Sequence, residues 1–270
     1  MSGCCIDCAR KMQLGQITIF PIKSLDGVST PAARVTRGGI LEKDRAYAMF
    51  DTQGKVVNGK RTPKVHELRC YFNTSINEIQ LRQNKESTFQ QFQLDDPGPL
   101  EKWLSDFFGF QIVLRHEPEK GFPDDLAAFG PTIVSEASLR TVQNWFPELI
   151  LESVRRRFRA NLEVLDGEAF CEDRLFGAPD ELKPFNIGDV KFLGHNPCQR
   201  CVVPTRDPDT AQAVADFQKQ FMQLRRDNLP QWTNAQRFNH FYRFAVNTSI
   251  PPTEAGKELR VGDEIKVGQG

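Results

Sequence analysis

The sequence predicts a mixed α/β fold that is mostly β, with three helices packed outside a closed or strongly curved sheet. Short runs of alternating apolar and polar residues recur through the first ninety or so positions, separated by turns that contain Gly and Asp. Only three segments repeat apolar residues at helical spacing. Residues 185–194 and 259–268 both place Gly-Asp between two short apolar runs and end on Gly, a pattern typical of a sharp bend in a sheet.

The first half of the chain is predicted to contain mainly strands. They are expected at residues 16–22, 33–40, 45–50, 55–57, 67–73, 78–82 and 89–94. Residues 45–57 form a hairpin in this prediction, because two apolar runs flank the polar turn that ends at Gly54.

The helices and the remaining strands follow. Proline and glycine at residues 97–99 end the strand pattern, and a helix then runs through Leu104 to a stop at Gly109. Further helices are expected at residues 135–145 and 211–226, and strands at residues 155–165, 243–248 and 256–267.

Length and composition exclude several classes of protein. A chain of 270 residues is one large domain or two small ones, and 39% hydrophobic with 26% charged residues is ordinary for a globular protein. The 35 basic residues balance the 35 acidic ones, which argues against binding nucleic acid by phosphate neutralisation. No apolar run approaches the roughly 20 residues of a transmembrane helix. Seven scattered cysteines, without a secretory signal before them, predict a cytoplasmic protein with reduced thiols.

Familiar catalytic signatures are missing from the sequence. It contains no His-Glu-x-x-His, no Gly-x-Ser-x-Gly and no Rossmann glycine fingerprint. Gly54, Gly59 and Lys60 imitate a phosphate-binding loop, but Arg61 stands where Ser or Thr is required, and the segment lies in a predicted hairpin. We therefore interpret it as a basic turn.

The segment Cys198-Gln-Arg-Cys201 is the most informative part of the sequence. It is half of a structural zinc site, a pair of buried thiols, or a functional thiol, and spacing alone leaves these three readings open. Arg200 and Arg206 favour a thiolate here, since nearby cations stabilise the charged form that acts as nucleophile and soft-metal ligand. The cysteines that could complete a zinc site are nearly two hundred residues away, at Cys4, Cys5 and Cys8.

Several separated motifs, together with this loop, make the sequence similar to the MOSC-domain proteins. The others are Pro21-Ile-Lys-Ser24, Gly38-Gly-Ile-Leu-Glu-Lys-Asp-Arg45, Ser135-Glu-Ala-Ser-Leu139 and Arg157-Phe-Arg-Ala-Asn161. The chain most resembles members with an N-terminal β-barrel domain ahead of MOSC, such as the amidoxime-reducing component family of molybdenum enzymes. The resemblance covers about Ile17 to the C-terminus. It implies an N-terminal tail at residues 1–13, a MOSC N-terminal β-barrel domain at 14–100, and a MOSC β-barrel with peripheral helices at 101–270.

The resemblance also implies a set of site residues. The second cysteine of the loop, Cys201, matches the thiolate ligand of molybdenum, and Cys198 is its neighbour. The positions that match those holding the pterin cofactor and its phosphate are Lys23, Ser24, Arg45, Ser135, Ser138, Arg159 and Asn161. Cations, hydroxyls and amides at a helix start suit a dianionic phosphate. Asp209 is a candidate for proton handling, or simply a turn residue in Asp-Pro-Asp.

The function implied is a molybdenum-cofactor (molybdenum–molybdopterin) oxidoreductase that reduces N-hydroxylated compounds. Because the sequence stops at Gly270 without a ferredoxin-like region, we expect electrons to come from a separate donor protein. Phe241 stands where the reductases carry Tyr, so their substrate specificity is not carried over. The alternative functions are a carrier of the molybdenum cofactor or of sulfur, as a Cys201 persulfide, and a structural zinc protein.

Overall fold

An eight-stranded mixed sheet organises the fold in the computed structural model, which describes residues 11–83 and 87–268. The strands are β1 (Gln13–Ile19), β2 (Val28–Thr30), β3 (Ala32–Arg34), β4 (Tyr47–Phe50), β5 (Arg69–Phe72), β6 (Glu78–Arg82), β7 (Gln90–Gln93), β8 (Val113–His116), β9 (Ile133–Ser135), β10 (Leu162–Leu165), β11 (Lys183–Ile187), β12 (Val190–Gln199), β13 (Arg243–Ser249), β14 (Glu258–Arg260) and β15 (Ile265–Val267). The helices are α1 (Gly98–Phe108), α2 (Glu136–Trp145), α3 (Leu151–Phe158) and α4 (Phe217–Asp227). Cys4, Cys5 and Cys8 lie outside the described residues.

The large sheet joins the start of the chain to its second half. Its strand order is β15-β11-β12-β13-β9-β10-β1-β2, and β10 pairs parallel to β9 while the other neighbours are antiparallel. Smaller sheets combine β14 with β3, β4 with β8, and β5 with β6 and β7. The prediction of a mixed, mostly β fold is confirmed.

Three hydrophobic cores accompany these layers. The first core consists mainly of residues of the large sheet. The second lies among α1 and the small sheets between Ile22 and Leu114. The third joins α2, α3 and α4 through Phe rings. Six of the 21 Phe residues of the chain are buried in the third core, where Phe158, Phe217, Phe221 and Phe244 contact one another.

Three elements differ from the sequence prediction: α3, β3 and α4. The strand expected at residues 155–165 is α3 followed by β10, and a fourth helix was therefore missed. The inward face of α3 consists of Val154, Arg157 and Phe158 at helical spacing, and the buried arginine conceals that periodicity. The strand expected at residues 33–40 shrinks to β3, and α4 begins at Phe217 rather than at residue 211.

The predicted bends at the two Gly-Asp sequences are confirmed, and the two bends contact each other. Gly188 has φ 54° between β11 and β12, and its backbone N–H donates to the carbonyl of Glu264 at 2.9 Å. The second bend lies between β14 and β15, which belong to different sheets. The similarity between residues 185–194 and 259–268 thus marks one corner of the large sheet.

Candidate functional site

A cleft of about 1040 Å³ has walls from both halves of the chain. Its lining contains ten Lys and Arg side chains but only three Asp, in a protein whose formal charge is zero. The basic residues are Lys23, Arg45, Lys60, Arg69, Arg156, Arg157, Arg159, Arg200, Arg237 and Arg243. Such a surplus of cations focuses positive potential inside the cleft and favours an anionic ligand.

Both cysteines of the Cys-x-x-Cys segment line this cleft. Cys198 lies near the end of β12, Cys201 follows in the next loop, and both are half-buried. Arg200 Nη1 donates to Cys198 Sγ at 3.0 Å, and the backbone N–H of Val203 donates to Cys201 Sγ at 3.4 Å. Each sulfur is therefore directed into the cleft region with a donor beside it.

The buried side chain of Arg157 fixes the loop that follows Cys201. Its Nη1 donates to the carbonyls of Pro204 at 2.9 Å and Arg206 at 2.6 Å, and its Nη2 lies 3.5 Å from Asp207 Oδ2. The loop is thus held from inside by one guanidinium, which restricts the positions open to the thiol.

Three of the predicted cofactor residues line the cleft from a left-handed backbone conformation. Ser24, Arg45 and Arg159 have φ angles of 76°, 50° and 52°. This region costs a non-glycine residue on the order of 1–3 kcal/mol, and such strain is concentrated at functional sites. The fold thus holds all three side chains at an energetic cost.

Arg45 and Arg159 share one aromatic ring. Their guanidinium carbons lie 5.5 Å and 4.2 Å from the centre of the Phe20 ring. Arg45 also contacts Asp44, whereas Arg159 forms no ion pair with a carboxylate among the described residues. Burial, together with the charge of Arg45, lowers the pKa of Arg159 to about 10. An anion placed between the two guanidinium groups would relieve this repulsion.

Lys23 also lines the cleft, but protein acceptors occupy its ammonium group. It donates to the carbonyls of Phe122 at 2.8 Å and Pro123 at 3.0 Å and forms an ion pair with Asp124 at 2.9 Å. An ammonium has three donors, so these contacts use all of them. Burial raises the pKa of Asp124, but the charges of Lys23 and Arg45 outweigh it and bring the pKa to about 2. Lys23 therefore fastens the 122–124 segment, which forms part of the cleft wall.

Asn161 lies behind the cleft and orients Arg45. Its Nδ2 donates to the Thr18 carbonyl and to Asp44 Oδ1, both at 3.0 Å. Its Oδ1 accepts from Arg45 Nη1 at 3.1 Å and from the Thr132 N–H at 3.2 Å. The amide is saturated by protein groups, so its contribution to a ligand is through Arg45.

Ser135 and Ser138 are buried outside the cleft, at the start of α2. Ser135 Oγ caps the helix by accepting from the Ser138 N–H at 3.1 Å. Ser138 Oγ donates to Glu172 Oε2 at 2.9 Å and accepts from the Phe170 N–H at 2.6 Å. The group that faces these hydroxyls is therefore a buried protein carboxyl. Burial, with Asp173 beside it, raises the pKa of Glu172 to about 7.

Asp209 bridges two arginines of the cleft wall. Its Oδ1 accepts from Arg69 Nε and Arg156 Nη1, each at 2.8 Å, and the Asp26 carboxylate lies 3.7 Å from Arg69 and 3.5 Å from Arg156. Arg69 belongs to β5 and Arg156 to α3, so Asp209 connects the N-terminal half to the second half.

Sequence reasoning missed two cleft residues that each have a buried nitrogen without a hydrogen-bond partner, His66 and Arg243, and a neighbouring basic residue, Arg237. His66 Nε2 is buried with no partner, and burial, assisted by Arg206 and Arg159, lowers its pKa to about 4. No motif in the sequence marks these positions, because they meet the thiols only through the fold.

Among residues 11–83 and 87–268, no group of three or more His, Cys, Asp or Glu side chains is arranged to hold a metal ion. In the same part of the chain, none of the helices has the length and apolar character needed to cross a membrane.

Comparison with known proteins gives two family matches. Residues 11–111 match the MOSC N-terminal beta barrel domain, and residues 131–266 match the MOSC domain. The chain is 27% identical to a molybdenum cofactor sulfurase of Drosophila grimshawi. The match covers 76% of this chain but only 30% of the length of that relative. It is 26% identical to mitochondrial amidoxime reducing component 2 of Bos taurus, over 95% of this chain and 84% of the relative. With human mitochondrial amidoxime-reducing component 1 the identity is 25%, over 73% and 67%. The chain belongs to the MOSC family and carries both its N-terminal β-barrel domain and its MOSC domain.

Proposed function

We propose that this protein binds the molybdenum cofactor in the cleft and reduces N-hydroxylated compounds, with Cys201 as the protein ligand of molybdenum. The observation that carries the proposal is the meeting of Cys201 with unpaired guanidinium charge in one cleft. The similarity to relatives named amidoxime reducing component, over up to 95% of the chain, supports the reaction class.

The residues of the cleft fit this cofactor chemically. Arg45 and Arg159 lie over one Phe20 ring and can both donate to a phosphate, and an anion between them would offset the repulsion that lowers the pKa of Arg159. His66 Nε2 is a buried polar atom without a partner in the protein, as expected where a ligand supplies one. A thiolate is the soft ligand that suits molybdenum.

The protein's own contribution is binding and positioning. Arg159 and Arg45 bind the phosphate, and Asn161 holds Arg45 in place through its amide oxygen. Asp209 orients Arg69 and Arg156 in the wall, and Lys23 fastens the 122–124 segment, which forms part of the same wall. When bound, the cofactor supplies the two-electron chemistry that removes oxygen from an N–O bond. The net reaction consumes two electrons and two protons and yields the amine or amidine and water, so a separate electron-donor protein completes the proposal.

The test is turnover of benzamidoxime by protein loaded with the cofactor. We expect benzamidine to form with reduced viologen as electron source and not with a nicotinamide cofactor alone, because the chain has no nucleotide fingerprint. Stoichiometric molybdenum without benzamidine formation under reduced viologen would contradict the reaction class and leave cofactor binding intact.

A second function, carriage of sulfur on Cys201, is favoured by the similarity to molybdenum cofactor sulfurases. In this case, the Cys201 thiolate takes the outer sulfur of a sulfane-sulfur donor such as an organic persulfide, which leaves as a thiol, and the peptide that contains Cys201 should gain about 32 Da, the mass of one sulfur. The same protein would then lack amidoxime turnover when loaded with cofactor. The two experiments together separate the enzyme from the carrier.

A further inference from the structure

Two arginines of the cleft have no part in holding the cofactor in the proposal above. Arg243 begins β13 and pairs in register with Gln199, next to Cys198. Arg237 ends a short 3₁₀ turn on the same wall. Both are half-buried and line the cleft beside the thiols.

Both guanidinium groups donate hydrogen bonds to neutral protein groups. Arg237 donates to the carbonyls of Ala178 at 3.0 Å and His195 at 2.7 Å. Arg243 donates to the Pro197 carbonyl and to Asn239 Oδ1, both at 2.8 Å. Neither arginine pairs with a carboxylate in the described part of the chain. A guanidinium has five N–H donors, so three remain on each side chain.

The donors of this pair suit an anionic group. Arg243 Nε is buried and has no partner. Burial is the main cause that lowers the pKa of Arg243; the nearby Cys198 sulfur opposes it by raising the pKa, and the charge of Arg237 lowers the pKa again. Two carboxylates of the cleft are engaged elsewhere, Asp124 by Lys23 and Asp125 by the Asn247 amide at 3.2 Å. A negative group between the arginines would satisfy both of them.

We propose that Arg237 and Arg243 form a subsite for an anionic oxygen group, so that the substrate carries a carboxylate or phosphate in addition to its N–O group. This inference rests on the proposed function, because the subsite lies on the wall that carries Cys198 and Cys201. Backbone carbonyls fix both guanidinium groups before the ligand arrives, which reduces the entropy lost on binding.

The test compares matched neutral and anionic probes on the cofactor-loaded protein. Benzamidoxime, 4-carboxybenzamidoxime and 4-phosphonobenzamidoxime differ only in the added anion, and reduced viologen supplies electrons. We expect kcat/KM to be about 10-fold higher for the anionic compounds, the factor of one charge-assisted hydrogen bond. The carboxylate and phosphonate arms identify which anion the subsite prefers. The advantage should shrink as salt rises.

Substitutions of the two arginines test whether they cause the preference for anionic compounds, and a binding measurement tests that preference without turnover. Arg243→Gln and Arg237→Gln should each lower the anionic-to-neutral ratio about 10-fold, while Arg243→Lys lowers it less because the charge remains. The control is Arg140→Gln on α2, an exposed arginine paired with Glu136. Calorimetric titration with the unreactive pair 4-carbamoylbenzoate and benzamide gives a readout without turnover.

Each outcome bears on one claim. Turnover of benzamidoxime with no anionic preference, or an equal loss of preference in Arg140→Gln, would overturn the subsite and leave the proposed function standing. Tighter binding of 4-carbamoylbenzoate that both Gln variants remove, without turnover of any amidoxime, would support the subsite and count against the proposed reaction.

Discussion

Ten positive side chains converge on one cleft in a chain whose formal charge is zero. The positions of individual charged residues are therefore more informative about the site than the net charge of the chain. Sequence motifs marked five residues that line this cleft: Cys201, Lys23, Ser24, Arg45 and Arg159. The motifs did not show that Ser135 and Ser138 lie outside the cleft. The hydroxyl groups of these two serines face the carboxyl group of Glu172, which lies more than thirty residues further along the chain.

Glu172 gives a pH dependence of stability at this scale. Its pKa is about 7 in the folded protein and near 4.3 in the unfolded chain, so the folded state binds more protons between these values. Stability should fall as pH rises from about 4.3 to 7, with a penalty of at most about 4 kcal/mol that is fully present above pH 7. Glu172→Gln should therefore raise the unfolding midpoint at pH 8 much more than at pH 5. The measurement is thermal unfolding by circular dichroism, and an equal change at both pH values would exclude a buried carboxylate charge as the cause.

At the scale of elements, helix α3 was not predicted from hydrophobic periodicity, although its end positions a candidate site residue. Its buried Arg157 disguised the apolar face, and its last residue is followed by Arg159 as a left-handed C-cap. The cap N–H donates to the Arg155 carbonyl at 2.8 Å, so the end of the helix positions a candidate phosphate ligand. Helix α1, by contrast, ends at Gly109 with φ 80°, and its apolar spacing and glycine stop were readable from the sequence.

Two substitutions of Arg159, the C-cap of α3, distinguish its effect on stability from its effect on ligand binding. Glycine accepts the left-handed conformation, whereas alanine there costs roughly 1–2 kcal/mol. Arg159→Gly should thus unfold at a higher urea midpoint than Arg159→Ala. Both variants should lose cofactor, since both lack the charge-assisted contact to phosphate, worth about 1.5–3 kcal/mol. Urea unfolding and molybdenum content are the two measurements, and full molybdenum content in either variant would remove Arg159 from the site.

At the scale of the molecule, the cleft exists because two halves of the chain meet. β1 and β2 complete the large sheet, while the second core lies outside it. The mostly β class was predictable from alternation and turns, whereas pairing of β1 with β10, nearly 150 residues away, has no local signal. The domain limits at residues 14–100 and 101–270 and the cytoplasmic location stay predictions.

The connection between the halves through Asp209 should contribute measurably to stability. Asp209→Asn removes the charge that Arg69 and Arg156 share, and we expect the free energy of unfolding to fall by about 1–3 kcal/mol, because both guanidinium groups are partly buried. Asp106→Asn is the matched control, since its ion pair with Lys102 is exposed and worth about 0.5 kcal/mol or less. Equal effects in urea unfolding would show that the bridge does not join the halves.

X-ray absorption at the molybdenum edge of cofactor-loaded protein tests the central claim, that Cys201 is the protein ligand of the metal. The account predicts one sulfur fewer around molybdenum in Cys201→Ser than in the unmodified protein, because serine exchanges a soft thiolate for a hard hydroxyl. Cys198→Ser, at the neighbouring thiol that contacts Arg200, should keep the full sulfur number. Circular dichroism confirms that both variants fold. An unchanged sulfur count in Cys201→Ser, or the same loss in both variants, would contradict the account.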